Sequence, residues 1–224
     1  MSRQILVGIN FWQILIKMTQ PDWSYVSAIV TPILETIQMA LVGTLLGTII
    51  AVPFSLLAAR NIMKNAVARG IIRFFLNLVR ALPDLLLAAL FVAIVGIGPM
   101  AGVGALTVFS FGMISKLFYE AIETIDDGPI EALTAAGANS IQTIVFAVVP
   151  QVFNQFLSYF LYTLEINVRA STVLGYLGAG GVGLYLSQTL SLFRYDRTAI
   201  VILAILVVVI IVDGISNRLR EALA

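Results

Sequence analysis

The chain has 224 residues, of which 60% are hydrophobic and only 11% are charged, and its formal net charge is +1. A soluble domain carries about 25% charged residues, so this chain has too few charges to cover a surface that faces water. The near-neutral charge argues against a nucleic-acid partner, and the lack of histidine and cysteine excludes disulfides, thiolate metal sites and histidine- or cysteine-dependent catalysis. The composition predicts an all-α polytopic membrane protein whose apolar surface faces lipid.

At about 20 residues per crossing, the length allows roughly four to six spans in one membrane domain. Residues 1–30 are expected to form an N-terminal interfacial segment. Within it the apolar stretch 5–18 is short for a span and ends in Lys17, so whether this stretch crosses the membrane stays open. Residues 31–224 are expected to form a single transmembrane domain.

About five stretches are predicted to cross the membrane as helices. In chain order these are 36–59, a second that begins between Arg73 and Pro83, a third that ends near Lys116, about 150–165 and about 197–217. The stretch 96–104 separates the second from the third as a tight external turn, because proline lacks a donor and glycine is a poor helix former. The basic connection 60–73 and the basic C-terminal end are predicted to be cytoplasmic by the positive-inside rule, which places 117–149 on the same side.

The cytoplasmic section between the third and fourth spans contains a stretch, 125–150, with the signals of ordered helices. Gly128 can serve as N-cap with Pro129 at the first helical position, Glu131 suits the first turn, and Gly137 can end the helix. A second helix is then expected to lead into the membrane. A plain helical hairpin would need the same caps and the same glycine, so local signals leave that alternative open.

The spacing of Glu131, Ala132, Gly137 and Pro150 resembles the EAA loop of ATP-binding cassette (ABC) importer permeases. The family pattern is E-A-A, three residues, G, nine residues, I-x-L-P. In this chain the second alanine, the isoleucine and the leucine of that pattern are replaced by Leu133, Ala147 and Val149. These replacements are small or apolar and put individual docking contacts in doubt more than the identity of the loop.

The resemblance covers nearly the whole chain from about residue 30. It is carried by ETIQMALVGTLLG (35–47), FLNLVRALPDLLLA (75–88), VGIGPMAG (95–102), EALTAAGA and EINVRASTVLGYLGAGGVG (165–183). Together these segments are similar to the phosphonate permease (PhnE) branch of the type I, methionine-importer-like (MetI-like) permease fold.

This resemblance implies a multi-pass permease subunit in the bacterial inner membrane, which works as a homodimer with two ATP-binding subunits and one extracytoplasmic substrate-binding protein. The chain has no G-x-x-x-x-G-K-[ST] phosphate loop, so it is not expected to be an enzyme, and ATP and magnesium would be bound by the partner ATPase. No cofactor or metal is expected in this chain. The residues expected to contact the ATPase are Glu131, Ala132, Ala135, Ala136, Gly137 and Pro150.

The expected cargo is phosphonate or a related oxyanion, phosphite or phosphate, with selectivity residing mainly in the binding protein. Two alternatives stay open. The same fold could import methionine or another small solute, or the chain could be an ion-coupled secondary carrier in which Glu165 is the coupling acid.

Several polar residues lie where the membrane should not tolerate them freely, since a charge costs roughly 2.5 to 3.5 kcal/mol near a helix centre on insertion scales. Glu165 and Arg169 stand four apart in the favourable order, and Arg80 and Asp84 could pair likewise. Each pair could simply neutralise itself. The alternative is a pathway whose guanidinium groups attract a tetrahedral oxyanion, and its expected lining is Arg80, Glu165, Asn167, Arg169, Ser171 and Thr172.

The stretch LGAGGVG, 177–183, has the G-x-G-x-x-G spacing of a dinucleotide-binding turn. No strand precedes it and no acidic residue follows at the required distance of about 20 positions, which excludes that site. The glycines instead predict a break in the membrane helices that helps form the outer gate, with tight packing of small residues as an equal alternative. The residues concerned are Gly175, Gly178, Gly180, Gly181 and Gly183.

Overall fold

The structure is a computed structural model that describes residues 12–223, and all regular structure in that part of the chain is helical. A short helical stretch, 12–18, and a 3-10 turn, Trp23–Tyr25, precede the main helices. The main helices are α1 (Val26–Ala58), α2 (Ala66–Ala81), α3 (Asp84–Val95), α4 (Pro99–Ile122), α5 (Gly128–Ala135), α6 (Ser140–Tyr176), α7 (Val182–Ser191) and α8 (Tyr195–Leu223). The all-α prediction is confirmed.

Four described helices, α1, α4, α6 and α8, are long and apolar enough to cross a membrane singly. The shorter α2 and α3 meet at a bend of 85° and together make a fifth candidate span. The bend follows from Pro83, which has no N–H to donate and forces Leu82 into an extended conformation with ψ of 125°. The second predicted span therefore exists, but it begins earlier, at Ala66, and is sharply bent.

The helices run past the predicted ends of the other spans. The predicted fourth span, 150–165, is part of a continuous helix of 37 residues, Ser140–Tyr176, which contains one π-helical turn at Ile144–Val148. Likewise α4 continues past Lys116 to Ile122. Charge marks where a helix meets water, not where its hydrogen bonding stops, so hydropathy underestimates helices that continue beyond the membrane.

The centre of the domain is the pair α1 and α4, which pack closely through small residues. A Cβ atom on Gly43 would lie 2.6 Å from the Cβ of Leu106, and one on Gly47 would lie 2.5 Å from the Cβ of Ser110. Absence of side chains at these two positions lets the helix backbones approach, which is how membrane helices gain packing energy without a hydrophobic driving force. Helix α6 packs against both α1 and α4.

One largely buried carboxylate, Glu123 at the end of α4, connects the end of α1 to the middle of α2. Glu123 accepts a hydrogen bond from the backbone N–H of Arg60 at 2.6 Å and forms an ion pair with Arg73. Arg73 also donates from Nε to the carbonyl of Ala58 at 2.9 Å, and its guanidinium lies 4.6 Å from the ring centre of Tyr119. This network fixes the ends of α1 and α4 to α2 on the side that the basic connection predicts to be cytoplasmic.

The segment before α1 is attached to the start of α8. Arg197 donates to Asp22 at 3.1 Å, and the backbone N–H of Asp22 reaches the carbonyl of Asp196 at 3.3 Å. The hydroxyl of Ser24, together with Arg197, holds the pKa of Asp22 below its usual value. Residues 5–11 of the predicted interfacial stretch lie outside the described residues.

Candidate functional site

The stretch 125–150 forms the predicted pair of helices with a bend between them. Helix α5 begins at Gly128 with Asp127 as N-cap, one residue earlier than predicted, and Pro129 and Glu131 lie in its first turn. The chain then turns at Gly137, whose φ of +84° is strained for any residue with a side chain.

The second helix, α6, begins with a reciprocal capping box. The side chain of Asn139 accepts from the backbone of Gln142, and the side chain of Gln142 accepts from the backbone of Asn139. Local sequence thus fixes the start of both helices and the turn between them.

Helix α5 presents an uncovered surface. None of its residues is buried. The six residues predicted to contact the ATPase, in α5 and after it, are all exposed: Glu131, Ala132, Ala135, Ala136, Gly137 and Pro150. The loop is nevertheless attached to the domain, because Ile130 packs on the core cluster around Phe118. In addition, Gln151 at the start of the fourth span accepts from the backbone N–H of Asp126 at 3.1 Å and donates to its carbonyl at 3.2 Å.

The charges predicted on the fourth span form a cluster with the last helix. Glu165 is paired with Arg169, as predicted, and also with Arg220 of α8, whose Nη2 lies 2.8 Å from Oε2 of the carboxylate. The Glu165 side chain is only 11% exposed. Arg220 is further held by the side-chain oxygen of Asn217 at 2.7 Å and lies 6.0 Å from the ring centre of Tyr162.

The pairing of Arg80 with Asp84, which the sequence left open because Pro83 lies between them, is absent, since no ion pair joins these two described residues. The helix is interrupted between them at Leu82 and Pro83, so the four-residue spacing no longer places them on one face. Asp84 instead accepts from the backbone of the next residue in its own helix.

Arg80 is exposed and lies against Gly112 of α4, where an added Cβ would stand 3.3 Å from the Cγ of the arginine. Lys116 and Glu120, four residues apart on α4, form a half-exposed ion pair with an N–O distance of 3.3 Å.

The other polar residues predicted for the pathway divide between core and surface. Asn167 is completely buried and donates to the hydroxyls of Thr44 at 2.7 Å and Ser110 at 2.6 Å. Ser171 is also buried, whereas Thr172 is half-buried. Asn167 therefore joins α6 to α1 and α4 in this conformation, and its part in a pathway stays a prediction.

The predicted glycine break separates α6 from α7. Gly178, Gly180 and Gly181 have φ of +94°, +83° and +67°, values that favour glycine. The carbonyl of Gly178 accepts from the backbone N–H of Gly98 at 2.9 Å, so the break is docked on the external turn between α3 and α4.

The glycines at the two ends of this break pack closely against the neighbouring backbone. A Cβ on Gly175 would lie 2.4 Å from the carbonyl oxygen of Gly180, and one on Gly183 would lie 1.9 Å from that of Thr172. The small-residue packing considered for these glycines is therefore present, while their role in an outer gate stays a prediction.

Comparison with known proteins decides what kind of molecule this is. Residues 43–223 match the family described as "Binding-protein-dependent transport system inner membrane component". The chain belongs to this family. Its predicted localisation as a multi-pass inner-membrane permease is thereby confirmed.

Relatives of the permease agree with the predicted branch. It is 40% identical over 201 residues to the phosphite transport system permease protein PtxC of Stutzerimonas stutzeri, covering 90% of this chain and 73% of that protein. It is 38% identical over 214 residues to the phosphate-import permease protein PhnE of Mycolicibacterium smegmatis, covering 96% of this chain and 40% of that protein.

The permease also has the predicted type I fold. It superposes on a chain of the inward-facing MetNI methionine ABC transporter with a TM-score of 0.76 and 25% identity, covering 88% of this chain and 96% of that chain. Within residues 12–223, no group of three or more potential metal ligands is brought together.

Sequence reasoning missed three residues that organise the permease. Arg220, Glu123 and Gln151 each hold a partner that lies 25 to 55 residues away in the chain. No local pattern signals such pairs. The only available indication was that Glu165 and Arg73, as charges in or next to apolar segments, needed partners.

Proposed function

We propose that this permease forms the pathway by which phosphonate, or a related oxyanion such as phosphite or phosphate, enters the cell, driven by ATP hydrolysis on partner subunits. The observation that carries the proposal is a half-exposed arginine, Arg169, on a membrane helix of a chain 40% identical to a phosphite permease. A guanidinium presents a planar fork of donors that matches a tetrahedral oxyanion.

The exposed charges also support a second permease chain. Arg80 and Arg169 are exposed on candidate membrane spans, where contact with lipid is costly, and they need a water-filled cavity or a partner. A second copy of the chain facing this surface would leave the charges in an aqueous seam. Charge that lipid cannot cover thus supports the proposed homodimer with the pathway at its seam.

The partners follow from the surface of α5. Its exposed alanines permit close approach of another protein, and Glu131 offers a charge-assisted contact to an arginine or lysine. ATP-driven closure of two ATP-binding subunits would push α5, and the continuous α6 would carry that displacement into the membrane. A substrate-binding protein on the opposite face would deliver the anion.

The test is transport by the whole complex. The permease is reconstituted in liposomes with its ATPase and its binding protein and with ATP enclosed, and uptake of phosphite, phosphate, methylphosphonate and methionine is measured. We expect uptake of at least one phosphorus oxyanion that requires both ATP and the binding protein. Methionine uptake alone would overturn the cargo, and gradient-driven uptake by the permease without ATPase would overturn the mechanism.

The turn at Gly137 gives a prediction specific to the coupling loop. Nothing lies within 4 Å of a Cβ built there, so a substitution is opposed only by the φ of +84°. Alanine should lose about 1 to 2 kcal/mol in this left-handed conformation, whereas asparagine tolerates it better than other residues with a side chain. We expect Gly137→Ala to lower ATP-driven uptake several-fold and Gly137→Asn to retain most of it.

Both variants should be extracted from membranes in normal amounts, because the loop is exposed and outside the packed domain. Equal uptake by Gly137→Ala and the unmodified permease would show that the conformation of this turn is not needed for coupling.

A further inference from the structure

Two guanidinium groups face the single carboxylate of Glu165. Arg169 approaches one carboxylate oxygen and Arg220 the other. Together these three side chains carry one surplus positive charge, with Arg169 on the candidate span Ser140–Tyr176 and Arg220 on α8. Asp84 lines a pocket beside Arg169 but forms no ion pair with it in the described part of the chain. A surplus charge at such a position is costly and calls for a counter-ion.

The two arginines are held very differently. The Arg220 side chain is 28% exposed and has Glu165, the amide oxygen of Asn217 and the ring of Tyr162 around it. Its Nη2 donates to both Glu165 and Asn217, which holds the guanidinium beside the carboxylate, while its buried Nε has no hydrogen-bond partner among the described residues. Arg220 is therefore the permanent partner of the carboxylate.

Arg169, by contrast, is 49% exposed, and Glu165 is its one ion-pair partner within the described part of the chain. Its side chain borders an open pocket of about 320 Å³, the rest of which is lined by Asp84, Ile166, Ala170 and Val173. The guanidinium can turn toward this pocket without leaving a buried carboxylate uncompensated, because Arg220 stays in place.

We propose that Arg169 is an exchangeable anion-binding residue, which leaves Glu165 for the transported oxyanion while Arg220 keeps Glu165 neutralised. This inference rests on the proposed function. The site has low affinity, because Glu165 competes with the anion for the same guanidinium and Asp84, which lines the same pocket, repels the anion. Competition of this kind suits a pathway, which must release what it binds.

The test uses the reconstituted complex and three variants. Arg169→Gln should lower the oxyanion uptake rate about tenfold or more, as expected for loss of a charge-assisted contact. Arg220→Gln should also lower uptake, because Arg169 then becomes the only partner of the carboxylate and is locked onto it. In the double variant Glu165→Gln with Arg220→Gln, nothing competes for Arg169, and uptake should recover toward that of the unmodified permease.

The double variant separates exchange from a merely structural role. If the cluster only stabilised the fold, uptake by each variant would follow its thermal stability, because removing both partners of a buried pair can restore stability that removing one loses. A double variant that transports no better than Arg220→Gln at equal thermal stability therefore overturns the inference. Unchanged uptake in Arg169→Gln overturns it as well. Thermal unfolding of each purified variant identifies losses due to misfolding, and failure of the unmodified complex to transport any oxyanion would instead overturn the proposed function.

Discussion

Gly183→Ala is expected to remove most of the folded permease from the membrane. The added Cβ would lie 1.9 Å from the carbonyl oxygen of Thr172 and 2.9 Å from the Cα of Gly175. Both atoms belong to the backbone of α6, so no side chain can rotate to make room. Overpacking of a close-packed core costs typically about 1 to 3 kcal/mol, and a contact between two backbones belongs at the upper end of that range.

The matched control is Gly214→Ala. Gly214 also lies in a helix, α8, but nothing is found within 4 Å of its Cβ position. Alanine there should be neutral or stabilising by up to about 1 kcal/mol, because glycine is the poorer helix former. Yield of monodisperse protein in detergent and the midpoint of thermal unfolding should fall sharply for Gly183→Ala alone. Equal behaviour of the two variants would show that α6 and α7 are not packed as described.

Features fixed by neighbouring residues could be predicted from the sequence. Pro129, Glu131 and Gly137 specify the start and end of α5 whatever surrounds it, and the turn at Gly137 has the left-handed φ that its residue type favours. The break at 177–181 was predictable for the same reason. What the break packs against was not, because the contact of Gly178 with Gly98 depends on how distant helices meet.

Electrostatic partners were the part that local reasoning could not supply. Spacing correctly paired Glu165 with Arg169, but nothing near Glu165 in the sequence points to Arg220, which is 55 residues away. Spacing also failed for Arg80 and Asp84, where the proline between them redirects the helix by 85°. A rule for helical pairs holds only while the helix is continuous, and here the sequence contained the residue that interrupts it.

The surface of α5 gives the second large effect. Ala135 is exposed and touches no buried core, so Ala135→Trp adds bulk without disturbing the permease itself. If a partner subunit packs closely on this helix, the indole must displace it. Misfit of that size in a packed interface costs about 1 to 3 kcal/mol, which corresponds to roughly a 5- to 150-fold loss of productive docking.

We therefore expect Ala135→Trp to be extracted and to unfold like the unmodified permease, yet to lose at least about four-fifths of ATP-driven uptake and to retain less ATPase on affinity purification. Ala222→Trp provides the same substitution at an exposed position near the cytoplasmic end of α8 and should transport normally. Full uptake by Ala135→Trp would mean that the motor does not act through α5. Helix α6 continues without interruption from that loop to Glu165 and the glycine break, so loss of docking at Ala135 should stop ATP-driven movement at both places. Arg169→Gln, by contrast, should leave the retention of ATPase unchanged.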